Sequence, residues 1–284
     1  MNNTLNDQTA LVTGGTSGIG LETARALSTL GAQVTIVGRS EAKCRRATAE
    51  IDASGGSSPA DFICADLSTL AGMEQAASEF KVRHAKLHLL INNAGGFFMQ
   101  RRLTADGFEY TFALNHLGYF LVTNRLLDLL KGSAPARIVN VSSGAHRGAH
   151  LDFDNLQGEK HYRGMQAYGQ SKLANLLFTF ELARRLAGSG VTVNAVHPGF
   201  VATGFARNNG LVYALGMAAI GPFIRKPRQG AQTSIYLASS PEVEGVSGKY
   251  FVDCREAASS PESHDPEAAR QLWQLSLKLT RLQP

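Results

Sequence analysis

A run of five residues, Thr9 to Thr13 (TALVT), ends in Gly14-Gly15-Thr16-Ser17-Gly18-Ile19-Gly20, and a helical pattern from Leu21 to Leu30 follows. This unit limits the fold more than any other feature of the chain. The β-rich run suits a strand buried on both faces. Glycines at 14, 18 and 20 let the backbone turn tightly and approach a bulky anion. The helix that follows offers free N–H groups and the positive end of its dipole. Such a turn is a cradle for a pyrophosphate, so a dinucleotide is expected here.

The same alternation recurs along the chain. Strands are expected at Gln33–Val37, Phe62–Ala65, Leu87–Ile91, Arg137–Val141, Val191–Val196 and Tyr250–Val252. Helical stretches separate them, with long ones at Thr104–Leu130, Ala167–Ala187 and Gln229–Ala238, and Ser40 and Ser68 read as N-caps. Apolar strands alternating with helices give a Rossmann-type α/β fold, a doubly wound parallel sheet of seven strands. Ligands of such sheets bind at the carboxyl ends of the strands. The 284 residues suffice for one sizeable core, and no linker or repeat divides them, so one domain is expected over 1–284.

Composition narrows the partners. Lys and Arg outnumber Asp and Glu by 28 to 23, and the basic residues form no long run, which argues against a nucleic-acid partner. Three scattered cysteines, Cys44, Cys64 and Cys254, make neither a disulfide framework nor a zinc site, and no metal is expected. The polar opening MNNTLNDQTA has no signal-peptide pattern, and no apolar stretch is long enough to span a bilayer. A cytoplasmic protein is expected.

The second strand ends in Gly38-Arg39, where an NAD site of this kind places a carboxylate. A guanidinium there pairs with a 2′-phosphate instead, so the cofactor is read as NADP(H). Tyr168 and Lys172 are four residues apart and share one helix face. A nearby ammonium stabilises a phenolate and makes the tyrosine a usable acid or base. The fifth strand ends in Asn140-Val141-Ser142-Ser143-Gly144, the fourth in Asn92-Asn93-Ala94-Gly95, and the sixth in His197-Pro198-Gly199 with Thr203 beyond. These polar groups lie on the edge expected to hold the ligand.

With TGGTSGIG, NNAG, the Asn115 context, NVSS, YGQSK and HPG in this order, the chain resembles the short-chain dehydrogenases/reductases over roughly residues 7–255. The NHLGYFL run, the long insertion between Ser143 and Tyr168, and the helix YGQSKLANLLFTFELARRL make it similar to the retinol-dehydrogenase-like branch. Its polar opening leads to the expectation that it lacks the hydrophobic N-terminal anchor of the membrane-bound members of that branch.

The resemblance implies roles. Tyr168 exchanges a proton with the carbonyl oxygen, and Lys172 lowers the tyrosine pKa and holds the nicotinamide ribose. Ser143, rather than its neighbour Ser142, bonds the substrate oxygen. Asn115 anchors a water leading to Lys172. Asp66, with Leu67 beside it, contacts the adenine, Asn92 and Ala94 border the adenosine ribose, and Thr203 holds the carboxamide. Gly14, Ser17, Gly18, Ile19, Gly20, Arg39, Gly95, Pro198 and Gly199 complete the cofactor set. The implied activity is hydride transfer between NADP(H) and a lipophilic aldehyde, ketone or alcohol, retinoid- or steroid-like. The same chemistry on a polar polyketide- or sugar-type substrate stays open, as does a catalytically silent NADP(H)-sensing scaffold. The intact quartet of Asn115, Ser143, Tyr168 and Lys172 argues against the scaffold.

Other segments take plainer readings. His146, His150 and His161 are expected to be solvated loop residues, and His116 and His197 to serve packing or loop geometry. Phe97 and Phe98 are expected in the core, while Phe200 and Phe205 suit core or pocket wall equally. The nearly uncharged Leu211–Ile224 suits a substrate lid at about 203–227. With Ile224-Arg225-Lys226-Pro227-Arg228 beside it, peripheral membrane contact is the most that is expected. The C-terminal extension, about 256–284, carries Leu272, Leu275 and Leu279 at helical spacing, for packing on the body or for a homo-oligomer interface.

Overall fold

The computed structural model describes residues 4–201 and 225–283. Its strands are β1 (Thr9–Thr13), β2 (Gln33–Gly38), β3 (Asp61–Cys64), β4 (Leu89–Asn92), β5 (Ala136–Val141), β6 (Val191–His197), β7 (Lys249–Val252) and β8 (Arg255–Glu256). Among the described residues they form one sheet in the order β3-β2-β1-β4-β5-β6-β7-β8. Every pairing is parallel except β7 with β8. The order reverses between β1 and β4, the switch point at which a doubly wound sheet opens a crevice.

Alternation along each strand builds two cores. Ala10, Val12, Val34, Ile36, Leu89, Ile91 and Val139 point to one face. There they meet α1 (Gly18–Thr29), α2 (Glu41–Asp52) and α7 (Pro227–Ser239). Leu11, Ile63, Leu90, Ile138 and Val193 point to the other. That face is covered by α3 (Leu70–Arg83), α5 (Gly118–Gly132), α6 (Gly164–Arg185) and α8 (Pro266–Thr280). Both faces are apolar, so these strands read as continuous hydrophobic runs.

Three expectations are corrected. The sheet has an eighth strand because Asp253 and Cys254 both take positive φ, 51° and 60°, and reverse the chain in two residues. The helix of α3 is capped by Thr69, whose hydroxyl accepts from Gly72 N, whereas the Ser68 hydroxyl donates to Asp66. Ser40 stands at the N-cap of α2 as expected, though its side chain makes no cap bond. The helical stretch expected from Thr104 starts later, at α4 (Tyr110–Phe112), where the Glu109 carboxylate accepts from Thr111 N and Phe112 N. A turn through Gly107, closed by the Leu103–Glu109 bridge, occupies the residues before it.

The C-terminal extension packs on the body. Trp273 of α8 sits against Phe120 and Phe178, with the Arg185 guanidinium 4.0 Å from its ring centre. Leu272 and Leu277 are buried, and Leu275 and Leu279 are partly buried against the same core. The helix's apolar stripe is therefore used within the chain.

Candidate active site

The crevice edge is stitched before any ligand arrives. The Thr13 hydroxyl at the end of β1 accepts from Asn93 N and Ala94 N at 2.9 and 3.0 Å. The Asn93 amide donates back to the Thr13 carbonyl at 2.9 Å. Gly14 has φ +67°, and a Cβ there would lie 2.8 Å from Ala94 Cα. Only glycine lets the turn pass so close to β4. Ser17 at the N-cap of α1 makes no side-chain cap bond, and the first turn carries no acidic residue. This end of α1 fits an anion, with Gly18, Ile19 and Gly20 supplying the leading N–H groups.

At the end of β2, Arg39 is exposed and its Nη1 donates to the Tyr110 hydroxyl at 2.7 Å. Gly38 beside it is enclosed: a Cβ would strike the Thr16 methyl and the Cys44 sulfur. Asp66, after β3, accepts from the Ser68 N–H and hydroxyl at 3.0 and 2.8 Å, and Leu67 is buried. Asn92 turns away from the crevice. Its buried amide donates to Thr123 and Asn140 at 2.8 Å each, so its side chain has no donor left for a ribose. The expectation that Asn92 borders the adenosine ribose therefore rests on its backbone.

The two serines after β5 separate cleanly. Ser142 is buried and its hydroxyl donates to the Lys172 carbonyl at 2.8 Å, tying β5 to α6. Ser143 is half-buried, and its Oγ accepts from Ala145 N at 3.2 Å. An accepting hydroxyl keeps its own proton to give elsewhere. A Cβ on Gly169 would lie 2.9 Å from the Ala145 carbonyl, so α6 presses directly on this serine turn. That contact brings Tyr168 beside it.

Tyr168 is half-buried, with Phe97 edge-on to its ring at 5.8 Å. Lys172, one turn on, is 3% exposed. Its Nζ donates to the Val141 carbonyl at 3.0 Å and lies 5.7 Å from the ring centres of both Tyr168 and Tyr119. Burial pushes this ammonium down to about 7. Loss of water disfavours the charged form, and one carbonyl replaces little of the hydration.

Asn115 lies in a π-helical turn, Ala113–Leu117, between α4 and α5. Its amide accepts from Gly96 N and donates to the Gly96 carbonyl and the Ser171 hydroxyl, at 2.8 to 3.0 Å. Both donors of the side-chain amide are used in these bonds, which fix the strand end that carries Gly95, while Oδ1 keeps a second lone pair. A Cβ on Gly95 would lie 3.6 Å from Lys172 Nζ, which places that backbone against the lysine.

Past β6, Gly199 has φ +80° and leads to Phe200, which is 66% exposed and so no part of the core. Thr203, Phe205 and the expected lid segment Leu211–Ile224 lie outside the described residues. Phe97 and Phe98 are buried, as expected.

The histidines correct one expectation. His146 is not a solvated loop residue; it is fully buried. Its signal is invisible locally, because what covers it comes from Ser260, 114 positions away. Among the described residues, no group of three His, Cys, Asp or Glu side chains is placed to hold a metal ion.

The family model for short chain dehydrogenase matches residues 8–211, most of the chain and nearly all of this site. The chain belongs to the short-chain dehydrogenase family. Its relatives include mouse retinol dehydrogenase 12, 45% identical over 96% of this chain and 86% of the relative. Human retinol dehydrogenase 13 is 42% identical over 99% of this chain and 86% of its own length. Among solved structures, an uncharacterized protein from Mycobacterium paratuberculosis aligns with TM-score 0.79. It is 31% identical over 98% of this chain and 94% of that one. The Pseudomonas aeruginosa RhlG/NADP active-site complex aligns with TM-score 0.70, at 29% identity over 88% and 96%. This short-chain dehydrogenase is therefore an oxidoreductase of the retinol-dehydrogenase-like group. Among its described residues, no helix is long and apolar enough to cross a membrane.

Proposed function

We propose that the protein is an NADP(H)-dependent reductase of lipophilic carbonyl compounds, with retinoid-like aldehydes as its substrate class. The observation that carries this reading is the stack on α6: Tyr168 half-buried, Lys172 buried one turn on and facing its ring, and the serine turn packed at Ala145 against Gly169 between them. The cofactor supplies the hydride. Ser143 directs its hydroxyl proton at the substrate oxygen, and Tyr168 delivers the proton that completes the alcohol. Lys172, when charged, stabilises the phenolate left behind and holds the ribose.

The choice of NADP(H) rests on Arg39, an exposed cation held by Tyr110, and on Gly38, whose surroundings leave no room for a carboxylate. The structurally similar Pseudomonas aeruginosa RhlG is a complex with NADP. Gly14, Ser17, Gly18, Ile19, Gly20, Asp66, Leu67, Ala94, Gly95, Pro198 and Gly199 line the rest of the cofactor path in this reading. Thr203 and a lid over 203–227 belong to it as well.

The lipophilic substrate is supported by the relatives named retinol dehydrogenases and by apolar groups near Tyr168. Phe97 lies edge-on to its ring, and the exposed Met99 has its backbone packed on Gly164 at the start of α6, where the exposed Met165 follows. The test is initial rates with NADPH and NADH on all-trans-retinal, decanal and a sugar aldehyde. The reading expects retinal and decanal to turn over with NADPH far faster than the sugar. Preference for the sugar, or equal use of NADH, contradicts it.

A further inference from the structure

The peptide group that joins Ser143 to Gly144 is held at both ends by histidine rings. His146 Nδ1 lies 2.6 Å from the Ser143 carbonyl oxygen. His197 Nδ1 lies 3.1 Å from Gly144 N. A backbone N–H only donates, so His197 Nδ1 accepts and its proton is on Nε2. The same logic fixes His146. Its Nε2 lies 3.1 Å from Ser260 N, another obligate donor, so Nε2 accepts and the proton sits on Nδ1, aimed at the Ser143 carbonyl. Both rings are neutral in this arrangement. A second proton on either would set one N–H against another.

The surroundings favour that state. His146 is fully buried, with the Tyr250 ring edge-on at 5.2 Å, Arg147 and Glu262 as its charged neighbours, and His197 nearby. Burial lowers its pKa first and Arg147 adds to that, while the hydrogen bond to the Ser143 carbonyl, and after it Glu262, oppose the fall only in part. His197 is held at about 4 by burial, His146 and Arg225, with Asp253 opposing.

We propose that His146 is a positioning residue for Ser143, tying the serine turn to the C-terminal segment at Ser260. The chain of contacts is Ser260 N–H to His146, His146 to the Ser143 carbonyl, and the Ser143–Gly144 peptide to His197 at the end of β6. It fixes the peptide plane from which the Ser143 hydroxyl projects. A donor that must meet a carbonyl oxygen gains from such fixation, because small misplacements are costly in rate. The inference rests on the role given to Ser143 above. It also gives the C-terminal segment a part in turnover beyond covering the core.

A double-mutant cycle tests it, read as kcat for NADPH oxidation with the better of all-trans-retinal and decanal. His146→Phe keeps a ring but loses both hydrogen bonds. It is expected to lower kcat about tenfold, short of the ~hundredfold that a gross misplacement can cost. NADPH Kd should stay within about twofold, since no cofactor group is touched. In a Ser143→Ala background the same change should cost less than about twofold, because the group being positioned is gone. His146→Asn, which restores a donor towards the Ser143 carbonyl, should recover part of the loss.

Ser260→Pro guards against a His146 variant that fails to fold. Ser260 already has φ −70°, which proline adopts, so the change deletes the N–H that fixes His146. It should lower kcat in the same direction and be silent in Ser143→Ala. Equal fractional losses with and without the Ser143 hydroxyl overturn the inference, as does unchanged kcat in both His146→Phe and Ser260→Pro. A Ser143→Ala enzyme that keeps full kcat is a separate failure, since it removes the serine role itself.

Discussion

Lys172 Nζ lies 5.7 Å from the centre of the Tyr168 ring and donates to the Val141 carbonyl at 3.0 Å. The lysine is thus anchored to the strand end while facing the tyrosine, one helical turn back along α6. Its burial makes it costly to keep charged, and that cost is measurable.

Lys172→Met should abolish turnover yet stabilise the cofactor-free protein. Methionine fills the same space, favours helix and carries no charge to desolvate. At pH 7 the expected gain in Tm is about 2–5 °C. The folded lysine titrates at about 7 against 10.5 unfolded, so folding releases a proton between those values. Wild-type stability from this group is complete above the unfolded value and is lost as pH falls towards 7. The advantage of Lys172→Met should therefore shrink as pH rises from 7 to 9.5. Thermal melts of the apo proteins across that range check it; an advantage that grows with pH contradicts the burial account.

Ser142→Ala and Ser143→Ala should differ in kind. Ser143→Ala is expected to lower kcat by about 10²-fold or more, as loss of an oxyanion donor does, with little change in Tm. Ser142→Ala loses a buried bond to the Lys172 carbonyl, so it should cost about 1 kcal/mol of stability and only a small part of kcat. Denaturant titration beside steady-state kinetics separates the two effects. The opposite ranking in kcat would reassign the donor.

Arg39→Ala should weaken NADPH by about tenfold to a hundredfold, the worth of a charge-assisted hydrogen bond, and leave NADH nearly unchanged. Tyr110→Phe removes the hydroxyl that holds Arg39 in place, so a smaller loss, about threefold, is expected for NADPH alone. Gly38→Asp is no clean cofactor switch: any side chain there meets Thr16 and Cys44, so destabilisation should accompany it. Calorimetric titration of both cofactors gives the ratio directly. Equal losses for NADH and NADPH in Arg39→Ala would remove the 2′-phosphate contact.

Trp273→Ala should cost about 3–5 kcal/mol of unfolding free energy, because it empties the seam between α8 and the helices carrying Phe120 and Phe178. Urea unfolding reads the loss. A change under about 1 kcal/mol would mean that α8 adds little to the body.

Much of this site is legible in the sequence because its signals are local. The glycine turn before α1, the YGQSK spacing and the polar ends of the strands each carry their meaning within a few residues. What escapes is set by distant partners or by backbone angles that the residue types do not announce. The β7–β8 reversal uses Asp253-Cys254, neither of them glycine, so the hairpin lacks its usual mark. His146 sits in a polar-looking insertion, and only the return of Ser260 buries it. Asn92 and Ser142 carry motif residues whose side chains turn inward, a direction set by strand parity and by Thr123, Asn140 and Lys172. Thr69 takes the cap of α3 from Ser68 because the Asp66 carboxylate already holds the serine.

The central claim is that Tyr168 completes a hydride transfer from NADPH to a lipophilic carbonyl. The most direct measurement is a single turnover with NADPH deuterated at both C4 positions and all-trans-retinal, with the product analysed by mass spectrometry. The wild type should yield retinol one mass unit heavier, and Tyr168→Phe should form it about 10²–10⁴ times more slowly while still binding NADPH. Unlabelled retinol, or labelled retinol formed by Tyr168→Phe at the wild-type rate, would contradict the account.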